Sequence, residues 1–473
     1  MHFSDPRIHP YLPSLQPNWV QTFSKSLYDY RDNVPYGSFA SLDEFNWYDG
    51  NKPRFSHPYA LYSPGHAKMD LDTARLADKM LFERDRDKTF LLVDSGGFQV
   101  GKGVWPLDQL DKYVTKVLRW QEAISDLAVI LEVPTWMEVG GSYIEFDRAL
   151  ELTNRNLKAY ADQATGEVKF LNTLHGKTYD EGRRWFDETR WFNDEGHAVG
   201  WCFSSIFSLN FYEAMRLLVY MIEQEHYPQY LHFLGQGTAQ SAIVADMMRR
   251  TVVRAYPSHL KKGADGNVLN VTTDASSEFQ SVGRFMTIYE RSIENEDDNN
   301  TTSPFQIKSA KFEGSDRKRF PPERTYPDVE GPIMGKYDKG VVFGDILCPE
   351  ASPVRSSNNL DAVSVAILIA HNLWVKLDTY GRMNKLESAL RRIHYGMEKE
   401  ATYEIADIIG RLMHSSTNKG QISDLGRDLV ACTVGLWRTF KSEPDDGASR
   451  GELLDEFADS AKAIFEKQET YDA

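Results

Sequence analysis

The chain has 473 residues, 41% of them hydrophobic and 26% charged, an ordinary soluble composition with room for about two to four domains, although one barrel can absorb about 250 residues. A formal net charge of −15 argues against a general polyanion binder, because phosphate contact needs basic surface, though a local basic patch can sit on an acidic protein. No apolar run approaches the roughly 20 residues of a membrane helix, Met1–Pro6 lacks a signal-peptide pattern, and three scattered cysteines (Cys202, Cys348, Cys432) form no disulfide framework, so the expected compartment is the cytoplasm.

Short apolar or β-branched runs alternate with helical patterns. The runs are Tyr59–Ser63, Phe90–Asp94, Leu127–Val133, Val168–Leu174, Ala198–Ser204, Tyr230–Gly235 and Val268–Asp274. Between them, Leu107–Ala123, Ile144–Gln163 and Ala239–Ala255 carry apolar residues at helical spacing. Such alternation means βα units and a parallel sheet. Seven strands predict an α/β fold, a (β/α)8 TIM barrel, with the eighth strand upstream within Gly37–Phe45; an open doubly wound sheet is the alternative. Three regions are expected: a barrel with an N-terminal extension over 1–290, an irregular insert over 291–359, and a C-terminal helical domain over 360–473. Asn295–Pro304 reads as an exposed polar loop, and Lys308–Asp345, rich in Pro, Gly and charge, as irregular. No internal repeat is visible.

In a parallel barrel the strand C-termini converge on one face, which holds the site. Reading the strand ends gives Asp94, Glu132, His175, Cys202 and Asp274. The segment Val93-Asp94-Ser95-Gly96-Gly97-Phe98-Gln99-Val100 is the most informative. Its paired glycines allow a tight turn and close approach to a ligand. Ser95 and Gln99 can hydrogen-bond a heterocycle edge, and Phe98 offers a face for stacking. Cys202 reads as a small packing residue.

Asp94–Val100 resembles the signature of the queuine/archaeosine tRNA-guanine transglycosylases, and the resemblance continues in order along the chain. Ser125-Asp126-Leu127 through Glu132-Val133-Pro134-Thr135 is similar to the family strand that ends in a guanine-reading aspartate. Thr173-Leu174-His175-Gly176 is similar to a strand ending in Gln-Gly, and Gly196–Gly200 to a stretch whose backbone contacts the base. Tyr230-Leu231 through Gly235 and Gly237, then Val271–Asp274, and later His371-Asn372, complete it. The resemblance implies an enzyme, a pentosyltransferase that swaps guanine in nucleic acid for a modified guanine. Asp274 would attack the anomeric carbon and hold the sugar covalently, and Asp94 would serve as general acid and base, the split-carboxylate logic of a retaining glycosidase. Ser95, Gly96, Gly97, Phe98, Gln99, Glu132, His175, Gly200 and Trp201 would bind the base.

The departures are informative. Glu132 stands for an aspartate, His175 for a glutamine, Pro134 for a cysteine, and Trp201 for a glycine, where it would reshape the pocket or act as a wedge. The family's three-cysteine, one-histidine zinc set is reduced to Cys348 and His371, too few to close a tetrahedral site, so no cofactor and no zinc are expected; any residual zinc would have Cys348 and His371 among its ligands, with oxygens from Asp345 or Glu350. These departures, with Thr273–Ser277, resemble the DNA-guanine transglycosylases of phages and bacterial modification clusters, which insert 7-deazaguanines such as 7-cyano-7-deazaguanine. The implied partners are DNA and a 7-deazaguanine base, in a host cytoplasm if phage-encoded, with any homo-oligomer or helper protein left open. A tRNA-guanine transglycosylase with a degraded zinc site, and a non-catalytic binding subunit, are the alternatives; retention of both Asp94 and Asp274 argues against the last. Candidate phosphate contacts are Arg317, Lys318, Arg319 and Arg324 beside Phe320, and Arg382, Lys385, Arg391 and Arg392. The same basic residues also fit a solvated loop and an exposed helix face.

Overall fold

The structure is a computed structural model that describes residues 9–24, 41–64, 71–139, 142–209, 211–237, 269–284, 287–291, 307–311 and 362–394, with isolated positions between. Eight parallel strands form its centre: β1 Tyr11–Pro13, β2 Tyr59–Tyr62, β3 Phe90–Val93, β4 Leu127–Val129, β5 Lys169–Leu174, β6 Ala198–Phe203, β7 Tyr230–Phe233 and β8 Asn270–Ala275. Pairing runs in sequence from β2 to β8, and β8 then pairs with β1 in register, Leu12 opposite Asp274. The ring closes where Ser14 bridges Leu61 in parallel and the Leu15 N–H donates to the Leu61 carbonyl at 2.8 Å. This is the expected (β/α)8 barrel.

The eighth strand is not where the sequence placed it. Leu42–Phe45 is a single 3-10 turn, and residues 37–40 lie outside the described residues. The strand is Tyr11–Pro13, three residues long and bounded by Pro10 and Pro13. Proline donates no ladder hydrogen bond and masks strand character, so so short a segment gives no period to read. Another correction falls in the insert: Ile307–Lys311 is a strand, antiparallel to Thr287–Arg291. The Ala239–Ala255 helix and the 295–304 loop lie largely or wholly outside the described residues, as do residues 395–473.

Two apolar clusters follow from the alternation of side chains along strands. Leu12, Leu61, Phe90, Leu92, Leu127, Val129, Leu171, Cys202 and Tyr230 pack inside the barrel. The larger cluster lies between strands and helices. The helix Leu110–Ile124 buries Leu110, Val114, Val117, Leu118 and Gln121, a stripe at helical spacing. The long helix Ala362–His394 buries Ala366–Ala370, Leu373 and Tyr380 in the same outer cluster. His371 Nε2 donates to the Tyr289 carbonyl at 3.0 Å, while Asn372 accepts the Tyr289 N–H at 2.8 Å and donates to the Thr287 carbonyl at 3.2 Å. Lys376, buried, donates to Tyr11 Oη at 2.8 Å and Ser277 Oγ at 2.7 Å and lies 3.4 Å from Glu278.

Candidate active site

The inward rows of the strands change character toward their C-terminal ends. Phe90 and Leu92 point inward, and Asp94 continues that row one step beyond β3. Thr272 and Asp274 form the corresponding row of β8, and Tyr230 and His232 that of β7. Low in the barrel the rows are apolar; at the mouth they bring Asp94, Glu132, His232 and Asp274 together over Cys202. The barrel thus places the two candidate catalytic aspartates at one mouth.

Asp94 is oriented by its own loop. The Ser95 N–H donates to Asp94 Oδ1 at 2.8 Å, and the Asp94 N–H donates to the Tyr62 carbonyl at 2.9 Å. Burial pushes the Asp94 carboxyl above the usual range; the Ser95 N–H opposes that, and the negative charge of Asp274 adds to it. Gly96 takes φ +87°, a left-handed conformation that lets the chain turn from β3 into the helix Gly97–Gly101.

Glu132 meets Asp94 from the next strand. Ser95 Oγ donates to Glu132 Oε2 at 2.6 Å and accepts the Gly97 N–H at 3.0 Å. A Cβ on Gly97 would stand 1.8 Å from Glu132 Oε1, so glycine there is a condition for the carboxylate's position. Burial, then the charge of Asp94, raises Glu132 from 4.5 to about 8, with the Ser95 hydrogen bond opposing.

The backbone that presents Glu132 leaves the β ladder after Val129 and is held by the helix Phe146–Gln163. Thr153 Oγ1 accepts the Val133 N–H at 3.0 Å, Asn156 Nδ2 donates to the Leu131 carbonyl at 2.8 Å, and Tyr160 Oη accepts the Leu131 N–H at 3.3 Å. Tyr160 in turn donates to Gln121 Oε1 at 2.8 Å, whose Nε2 donates to the Val129 carbonyl at 2.7 Å and the Asp94 carbonyl at 3.3 Å. These buried polar groups were missed in the sequence reading, although Thr153, Asn156 and Tyr160 recur at i, i+3 and i+7 on an otherwise apolar face.

His175 lies at the end of β5, fully buried, with Nδ1 3.1 Å from Ser205 Oγ and its ring 5.0 Å from Trp185. Burial lowers it from 6.5 to about 3, so the imidazole is neutral at physiological pH. Its Nε2 is buried and has no hydrogen-bond partner among the described residues, and Gln99 Oε1 is in the same state. Unsatisfied polar atoms around a mouth are what a bound heterocycle would satisfy. Asp274 Oδ1 accepts the Gly235 N–H at 2.8 Å.

Two expected residues fall elsewhere. Trp201 points away from the barrel axis: it is fully buried against Phe186 and His226, its indole N–H donating to His226 Nε2 at 2.9 Å. Strand alternation turns Trp201 outward once Cys202 faces in, so Trp201 neither lines the pocket nor acts as a wedge. Gly200 sits mid-strand, where a Cβ would come within 1.8 Å of the Tyr230 carbonyl oxygen; its smallness serves strand packing. Arg317, Lys318, Arg319, Arg324, Phe320 and Cys348 lie outside the described residues. Arg382, Lys385, Arg391 and Arg392 fall in the helix Ala362–His394.

At the rim the expected stacking face of Phe98 is joined by Trp136, Lys102, Tyr143 and Lys177, which the sequence reading did not anticipate. Phe98 is 58% exposed and faces Trp136 with ring centres 5.9 Å apart, and Lys102 Nζ lies 5.7 Å from both ring centres. Tyr143, 56% exposed, has Lys177 Nζ 4.7 Å from its ring centre. These side chains come from the loops after β3, β4 and β5, on the face that holds the carboxylates.

No family model matches the chain, and no curated protein matches it.

Proposed function

We propose that the protein is a guanine transglycosylase acting on DNA, exchanging guanine for a 7-deazaguanine through an aspartyl–sugar intermediate. The observation that carries this reading is the meeting of Asp94, Glu132 and Asp274 at one buried barrel mouth, in the order of the motifs that resemble the family.

In the first half-reaction Asp274 attacks C1′ of the nucleotide, the C1′–N9 bond breaks with its electron pair going to guanine, and Asp94 supplies the proton. In the second, the incoming base gives a proton to Asp94 and attacks C1′, and the sugar–carboxylate bond breaks to restore Asp274. A carboxyl raised by burial holds a proton more readily than an ordinary one, which suits a group that gives and takes a proton in turn. Glu132, ionised, accepts from the N1–H and 2-amino group of guanine, an edge that leaving and entering bases share. His175, neutral with one free nitrogen, reads the rest of the edge. The reading requires no cofactor.

A nucleic-acid partner is supported by the rim. Aromatic faces at Phe98, Trp136 and Tyr143, with Lys102 and Lys177 beside them, suit stacked bases and nearby phosphates on a chain of net charge −15. Bringing a duplex guanine to a buried mouth requires flipping it out, which costs a few kcal/mol. The test is incorporation of labelled guanine into plasmid DNA, single-stranded DNA and a tRNA anticodon stem-loop. Labelling of DNA is expected; labelling of the stem-loop with none in either DNA form transfers the activity to tRNA.

A further inference from the structure

We infer that His232 is the positioning residue for Asp274, its Nε2–H holding Oδ1 through both half-reactions; the inference rests on Asp274 being the nucleophile. His232 is fully buried, on the inward row of β7. An imidazole in such a place is costly unless its nitrogens are engaged. Thr272 Oγ1 donates to Tyr230 Oη at 3.1 Å and so accepts the His232 Nδ1–H at 2.8 Å, and the ring cannot turn without breaking this buried chain; the ring that also offers an Nε2–H to Asp274 is therefore the imidazolium, paired with the carboxylate. Nε2 is left 3.3 Å from Asp274 Oδ1, near a hydrogen bond in distance but short of its alignment. Hydrogen bonds to catalytic groups often reach full alignment only in the complex with substrate.

Both contacts of Asp274 fall on one oxygen: Oδ1 receives the Gly235 N–H at 2.8 Å and faces His232. Oδ2 has no hydrogen bond among the described residues and is the atom left to attack C1′. When the C1′–Oδ2 bond breaks in the second half-reaction, its electron pair returns to the carboxylate, and the N–H groups on Oδ1 stabilise the charge that reappears. The proton on Nε2 stays there throughout. Among the described residues, further charged or titratable groups around the pair are Asp94 from β3, Glu132 beyond β4, Cys202 from β6 and Lys376 from the long helix.

The test uses the full-length protein with three variants. His232→Gln retains an N–H near the Nε2 position, His232→Phe removes it, and Thr272→Val leaves the imidazole but releases Nδ1. Release of sugar from the trapped adduct by an incoming base is expected to slow on the order of 10- to 100-fold in His232→Phe, with KM for the base little changed, to recover in His232→Gln, and to fall between in Thr272→Val. Folded His232→Phe protein that releases sugar at the wild-type rate overturns the proposal; should His232→Phe not fold, an unchanged rate in Thr272→Val does so. A second readout needs no activity: nitrogen NMR of the His232 imidazole is expected to show Nε2 protonated in the wild type and shifted in Asp274→Asn. A bare Nε2, or one indifferent to Asp274→Asn, also overturns it. Should the wild type form no adduct with any nucleic acid, the transglycosylase reading fails, and the NMR experiment still decides whether His232 holds Asp274.

Discussion

Gly97 and Glu132 occupy space that only one of them can extend into. With a Cβ at Gly97 falling 1.8 Å from Glu132 Oε1, Gly97→Ala must push the carboxylate off Ser95. The expected result is loss of base binding by at least about tenfold, one lost charge-assisted hydrogen bond, with the circular dichroism spectrum unchanged; calorimetry with guanine measures it. Glu132 also couples the site to pH. Its folded value of about 8 lies above the ordinary 4.5, so the folded protein keeps a proton that the unfolded chain loses between those values. Stability contributed by this group is therefore present at low pH and lost as pH rises through that window. Glu132→Gln should flatten the loss and be more stable by about 2–4 kcal/mol at pH 9, read from denaturant unfolding. On the proposed reading guanine needs the ionised form, so its binding below pH 8 should release a proton, visible as a buffer-dependent binding enthalpy.

The helix Phe146–Gln163 fixes the backbone that carries Glu132. Thr153, Asn156 and Tyr160 hold the backbone on both sides of Glu132 where the β ladder has ended. Asn156→Leu removes the donor to the Leu131 carbonyl and leaves that acceptor buried, so thermal and denaturant unfolding should show a loss of about 1–3 kcal/mol, with weaker base binding alongside. Much of the element level was legible in the sequence. Seven strands announced themselves because each is a run of buried residues of strand length, and Asp94 and Asp274 because a charge after such a run falls at a strand end. Tyr11–Pro13 was not legible, being too short and bracketed by prolines. The side Trp201 faces is not legible from a family position alone, because strand alternation gives the inward place to Cys202 and turns Trp201 outward. His232 is legible in principle, as a polar residue two positions from Tyr230 on the same side of the strand Tyr230-Leu231-His232-Phe233.

At the scale of the molecule, a closed barrel presents one polar mouth, and the long helix Ala362–His394 is fastened to it by the Lys376, Tyr11 and Glu278 cluster and by His371 and Asn372. The rim adds aromatic and basic groups to a chain of net charge −15, so nucleic-acid binding should weaken steeply with salt, and Lys102→Ala with Lys177→Ala should reduce the salt slope by about 1 to 2, measured by fluorescence anisotropy on single-stranded DNA. The central claim is that Asp274 bonds covalently to the sugar. Incubating wild-type, Asp274→Asn and Asp94→Asn proteins with labelled DNA, quenching in denaturant and resolving protein from free DNA tests it most directly. The wild type should carry label through denaturation, Asp274→Asn should carry none while remaining folded, and Asp94→Asn, inactive in exchange, should still bind DNA. An adduct of undiminished yield in Asp274→Asn protein would contradict the account and move the nucleophile to another residue.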